Sequence, residues 1–124
     1  MAVCRIFSRA YATYYTADHM WITLNDVRHG QFGFTQKRIE QMREIVYASA
    51  SSDMVELEGE STIFSVKAPL PGEIVQFNQK LFEDIDLVRD DPEGDGWLAQ
   101  INPEKCSRKH LMTKKQYRDY VNRK

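Results

Sequence analysis

Residues 54–78 read MVELEGESTIFSVKAPLPGEIVQFN, and this stretch decides the fold class. MVELE (54–58) and STIFSVKA (61–68) are strand-like runs that meet at Gly59, and GEIVQFN (72–78) resumes after Pro69 and Pro71. Proline has no N–H to give to a ladder, so the two prolines confine their neighbours to sheet edges. Gly59, Glu60 and Ser61 form the candidate hairpin apex, because glycine accepts the left-handed backbone of a tight turn.

Working towards the N-terminus, QFGFT (31–35) and HMWITL (19–24) flank the turn cluster NDVRHG (25–30), an early hairpin. Thr35 is placed to cap a helix over QKRIEQMREIV (36–46), where Ile39, Met42, Ile45 and Val46 recur at helical spacing as a core stripe. Towards the C-terminus, QKLFEDIDLVRDD (79–91) carries Leu81, Phe82, Ile85 and Val88 as a short helical or irregular stripe. PEGDG (92–96) turns the chain into the strand WLAQIN (97–102). In TKKQYRDYVNR (113–123), Thr113 and Gln116 have capping-box spacing, and Tyr117, Tyr120 and Val121 share one face of a terminal helix. The expected fold is mainly β: a sandwich or barrel of short strands, with a short helix after the first hairpin and a C-terminal helix.

A chain of 124 residues, 42% hydrophobic, supports one domain with a modest core. No apolar run approaches the roughly 18 residues of a membrane-spanning helix, so no membrane partner is expected. The segment MAVCRIFSRAYA (1–12) holds Arg5, Arg9 and Ser8 and no acid, and the first carboxylate is Asp18. That composition reads as a mitochondrial transit peptide over 1–12, leaving a matrix domain at 13–124. Cys4 and Cys106 are too few and too far apart for a disulfide framework or a zinc site.

The net charge of −1 conceals a dipole: residues 13–104 hold 7 basic and 17 acidic side chains, whereas 105–124 hold 8 basic ones against Asp119 alone. The basic end invites phosphates or an acidic partner surface, with Lys109, Lys114, Lys115 and Arg118 as contact candidates. The tyrosines among them add RNA as an option through stacking. His19, His29 and His110 lack metal-site spacing, so no metal is expected. The acids Asp84, Asp86, Asp90, Asp91, Glu93 and Asp95 lack the ligand alternation of a calcium loop. No nucleotide-binding or nucleophile motif is present, which argues against an autonomous enzyme.

Four ordered stretches resemble the H protein of the glycine cleavage system, a member of the lipoyl/biotinyl-domain fold. YYTADHMWITL (14–24) is similar to its Tyr-Thr-x-x-His-Glu-Trp opening, GFTQKRIEQMREIVY (33–47) to its Gly-Ile-Thr strand, helix and Ile-Val-Tyr strand, and APLPGEIVQFN (68–78) to its Ala-Pro turn and strand. The most specific is DDPEGDGWLAQI (90–101), which resembles Asp-Pro-Tyr-Gly-x-Gly-Trp-Leu. The resemblance implies a lipoyl/biotinyl-domain-like β-sandwich, or hybrid barrel. Met20, Arg43 and Glu93 depart from it, standing where the family has Glu, a small residue and an aromatic one.

The family carries lipoate on a lysine at a hairpin tip, within Glu-Ser-Val-Lys-Ala and several residues before the Ala-Pro turn. In this chain that interval is shorter. If Lys67 in FSVKA is the carrier, the strand after it is missing. If Ala68-Pro69 is aligned without a gap, Ser61 takes the carrier position after a single upstream deletion. The second placement is simpler. Proline also biases its predecessor towards extended geometry, which suits a strand end better than a turn. The expectation is thus an H-protein-like domain without lipoate or other cofactor, a non-catalytic structural or binding subunit of a larger mitochondrial assembly. The alternative is a working H protein carrying lipoate on Lys67 and shuttling an aminomethyl group among the glycine cleavage P, T and L proteins.

Overall fold

The computed structural model describes residues 12–24, 30–42, 45–50, 54–59, 63–70, 72–103 and 110–122. In chain order its elements are β1 (Ala12–Tyr15), β2 (Met20–Leu24), β3 (Gly30–Phe34), α1 (Gln36–Gln41), β4 (Ile45–Ala50), β5 (Met54–Gly59), β6 (Ile63–Lys67), β7 (Gly72–Phe77), α2 (Lys80–Glu83), α3 (Leu87–Asp90), β8 (Ala99–Pro103) and α4 (Lys114–Val121). Five strands form one sheet in the order β1-β2-β3-β8-β7, and β4-β5-β6 form a second. The architecture is the mainly β sandwich expected from residues 54–78. The segments flanked by Pro69 and Pro71 run along edges: β6 closes the small sheet and β7 the large one.

The two sheets share one apolar core. Ile22, Leu24, Phe32, Phe34 and Ile101 of the large sheet join Ala48, Val55, Leu57 and Val66 of the small one, and Ile39, Leu81 and Val88 close the ends from the helices. Alternation along β2 sends Trp21 to the opposite face, where it forms a second cluster with Tyr15 and Tyr117 beneath α4. Gly33 lies opposite Trp21 in the ladder, and a Cβ there would sit 3.0 Å from the indole nitrogen. The glycine in QFGF is therefore space for the ring.

Three local expectations need correction. The helix after Thr35 ends at Gln41, and Ile45 and Val46 belong to β4. The β-branched pair gains more by laddering against β5, where Ile45 faces Gly59, than by extending a helix against its propensity. Gly59 is the last residue of β5, and no described glycine has a positive φ, so the left-handed turn is not at this residue. β1 was not expected: Ala12 to Tyr15 pair with Leu24 to Trp21, and the Thr13 and Thr23 hydroxyls meet at 2.8 Å. The transit-peptide reading falls on residues outside those described, except for Ala12, which opens β1.

The segment after α3 is fastened by buried polar contacts. Trp21 Nε1 donates to the Pro92 carbonyl at 2.9 Å. The Asn78 amide, 1% exposed, donates to the Asp95 and Trp97 carbonyls at 2.9 and 2.8 Å, while its oxygen accepts from the Lys80 N–H. A Cβ on Gly96 would lie 2.1 Å from the Leu87 carbonyl oxygen, so a side chain there requires the backbone to move. The acids around this segment, Asp84, Asp86, Asp90, Asp91, Glu93 and Asp95, are all exposed, as a solvated edge should be.

Candidate functional site

β5 and β6 form an antiparallel hairpin whose register runs from Met54 opposite Lys67 to Glu58 opposite Ile63. Lys67 is exposed, at the end of the hairpin remote from the connection between the strands, and Ala68 and Pro69 follow it directly. Gly59 ends the outgoing strand. Glu60 and Ser61, the remaining apex candidates, belong to the connection and lie outside the described residues.

On α4, Lys114, Lys115 and Arg118 are exposed, and Lys109 lies outside the described residues. The Thr113 hydroxyl accepts from the Gln116 N–H and the Gln116 side chain accepts from the Thr113 N–H, the expected capping box. Tyr117 points inwards and stacks on Tyr15 with ring centroids 4.8 Å apart. That ring is not free to stack on a base, so for this residue the stacking basis of an RNA contact falls away. Lys114 and Arg118 also edge a notch of about 260 Å³ whose wall includes Tyr15, Tyr117, Lys37 and Glu93.

The terminal helix is held by a polar relay that the sequence did not reveal. The Tyr117 hydroxyl lies 2.7 Å from His19 Nδ1 and 2.9 Å from Thr35 Oγ1, and Thr35 Oγ1 donates to the His19 carbonyl while accepting from the Arg38 N–H. His19 thus has a structural part in this relay. It turns the chain between β1 and β2 with φ 64°, a left-handed conformation that carries strain in a residue other than glycine. Burial raises the Tyr117 pKa above that of a free phenol, so this tyrosine serves as a neutral hydrogen-bonding group. Removing its hydroxyl by Tyr117→Phe strands the Thr35 and His19 partners. The loss of about 1–3 kcal/mol in unfolding free energy is to be read by urea denaturation.

Burial, followed by the nearby Arg38 and Lys37 charges, lowers the pKa of His19, with Asp18 opposing. The folded state therefore resists protonation more than the unfolded chain does. The resulting stabilisation is fully present above the unfolded pKa of about 6.5 and is lost as pH falls through the lower folded value. His19→Asn tolerates the left-handed backbone and does not titrate. Its melting temperature should fall less than that of the parent when pH is lowered from about 7 to 5, as scanning calorimetry at matched ionic strength will measure.

With this geometry established, comparison with known proteins assigns the family. The glycine cleavage H-protein family model matches residues 13–124. The chain belongs to the glycine cleavage H-protein family. A glycine cleavage system H protein of Prochlorococcus marinus (strain MIT 9301) is 39% identical over 101 residues, covering 73% of this chain and 78% of that protein. A Dictyostelium discoideum protein named "Probable glycine cleavage system H protein 1, mitochondrial" is 29% identical over 126 residues, covering 94% and 86%. Among solved structures, a glycine cleavage system H protein from Mycobacterium marinum superposes with a TM-score of 0.70 at 26% identity, covering 91% of this chain and 98% of that one. Family membership makes the chain a non-enzymatic component. It also gives the two-sheet arrangement its lineage and leaves the hairpin as the feature to be interpreted.

Proposed function

We propose that the chain is a non-catalytic binding subunit of H-protein descent that docks in the mitochondrial matrix with the other proteins of a glycine cleavage system. Support comes from the family match over residues 13–124 and from a relative named as mitochondrial.

Whether it carries lipoate turns on one observation, the pairing of Lys67 with Met54. A lipoyl group supplies a swinging dithiolane, which needs a lysine projecting freely from a turn with strand on both sides of it. Lys67 has β6 before it and Ala68-Pro69 after it, and the connection Glu60-Ser61-Thr62 contains no lysine. These residues do not fit the group. The geometry therefore supports an H-protein body that binds its partners through an unmodified hairpin, and no carrier step is derived through Lys67.

The comparisons favour a second reading, in which the chain is a working carrier of the aminomethyl group with lipoate on Lys67 and the P, T and L proteins as partners. Its relatives bear the H-protein name over most of its length, and Lys67 stands exposed within Ser-Val-Lys-Ala. Intact-mass analysis of the protein from its native source separates the two. An unmodified chain upholds the first reading. A lipoyl adduct absent from a Lys67→Arg strain, together with loss of glycine decarboxylation in that strain, establishes the second.

A further inference from the structure

The end of β6 lines a cavity of about 390 Å³ that the carrier question does not account for. Its walls come from separate parts of the chain: Asp18 in the turn between β1 and β2, Met20 at the start of β2, Arg38 on α1, Ser65 and Lys67 on β6, and His110 ahead of α4. This size is in the range of pockets for small organic molecules.

The charges around it are unbalanced. Arg38 and Lys67 bring basic side chains to it, and among the described lining residues Asp18 is the one carboxylate. No ion pair within 4.0 Å joins any of these three among the described residues, where the bridge found is the distant Lys80–Asp95 contact. The guanidinium carbon of Arg38 lies 5.7 Å from the centre of the Phe34 ring, and its Nε is buried within the protein. With no carboxylate in ion-pair reach among the described residues, the terminal nitrogens of this lining residue are the donors an oxyanion in the cavity would meet. Met20, Val66, Ala68 and Pro69 line it beside Thr16 and Ala17 and offer apolar contact to a short carbon chain.

We propose that this cavity binds a small organic anion, with a carboxylate or phosphate head between Arg38 and Lys67 and a short apolar body against Met20 and Pro69. Lys67 then acts as a binding cation rather than as an acylation site. The proposal rests on the reading in which Lys67 is unmodified.

The test is calorimetric titration of the purified, unmodified full chain with hexanoate and with hexyl phosphate, using hexylammonium and hexanol as charge controls. Binding of either anion and not of the controls is the expected result. Affinity should fall about tenfold in Lys67→Met and in Arg38→Met, consistent with loss of one charge-assisted contact, while Lys67→Arg retains binding. Urea denaturation of each variant checks that it is folded. Hexylammonium binding as well as the anions do, no anion binding at all, or undiminished affinity in a folded Lys67→Met chain each overturns the proposal. These outcomes are distinct from failure of the underlying reading, which only a lipoyl adduct on Lys67 in native material brings about.

Discussion

Ser61→Lys should gain a lipoyl group when incubated with lipoate ligase, ATP and lipoate, while the parent chain and Lys67→Arg remain at their unmodified masses. The reason lies in the shape of the substrate. A ligase acting on a hairpin lysine grips strand on either side of the acceptor amine, and residues 60–62 join two paired strands, whereas Lys67 ends one of them. Position 61 is also where an ungapped alignment of the Ala68-Pro69 turn puts the family's carrier. The assay is intact-mass spectrometry, with peptide mapping to assign the site. Modification of the parent at Lys67 would show that local Ser-Val-Lys-Ala sequence outweighs hairpin position. A folded Ser61→Lys chain left unmodified would show that the shortened hairpin has lost more than its lysine.

Asn78→Leu is expected to lower the unfolding free energy by about 4 kcal/mol, the largest stability loss foreseen for a single side chain of this protein. Leucine has the same branched arrangement of heavy atoms as asparagine with bulkier methyl ends, so the change removes hydrogen bonding without opening a void, and any overpacking at this buried site adds to the loss. The Asp95 and Trp97 carbonyls and the Lys80 N–H would lose their side-chain partner. At a site only 1% exposed, water has little room to replace the amide. The midpoint of urea unfolding gives the measurement. A shift equivalent to less than about 1 kcal/mol would mean that the turn after α3 relaxes to recover its bonds.

The sheets were largely legible in the chain because their signal is local. Alternating β-formers, prolines and the capping pairs at Thr35 and Thr113 act within a few residues, and each reappears in the structure. The first-helix boundary was misread because Ile39, Met42, Ile45 and Val46 satisfy a helical period, and only pairing with β5 tells a helix from a strand there. β1 escaped because ATYY is short and its partner lies beyond a turn built on a left-handed histidine, for which no composition rule prepares the reader. The fastening role of Asn78 was equally hidden, since the two carbonyls it holds lie 17 and 19 residues further along.

The candidate site was less legible than the fold, for a related reason. Lys67 was identified and its place at a strand end was expected, but a cavity is a property of residues far apart in sequence. Asp18, Arg38, Lys67 and His110 come from four different stretches, and nothing in any one stretch points to the others. On α4 the shared face of Tyr117, Tyr120 and Val121 reads as a docking face, and Tyr117 is indeed spent on Tyr15, His19 and Thr35, while Tyr120 keeps a partly exposed ring.

The backbone exchange between Tyr15 and Met112, with N–H to carbonyl distances of 2.8 and 2.7 Å, joins the earliest strand to the approach of the last helix. A ribosome making this chain therefore releases Tyr15 and Trp21 long before their cover exists, and this part of the domain closes only once Met112 and Tyr117 have been made. Premature termination upstream of residue 112 would leave two aromatic rings on show, the kind of surface by which quality-control proteases tell an unfinished product from a mature one.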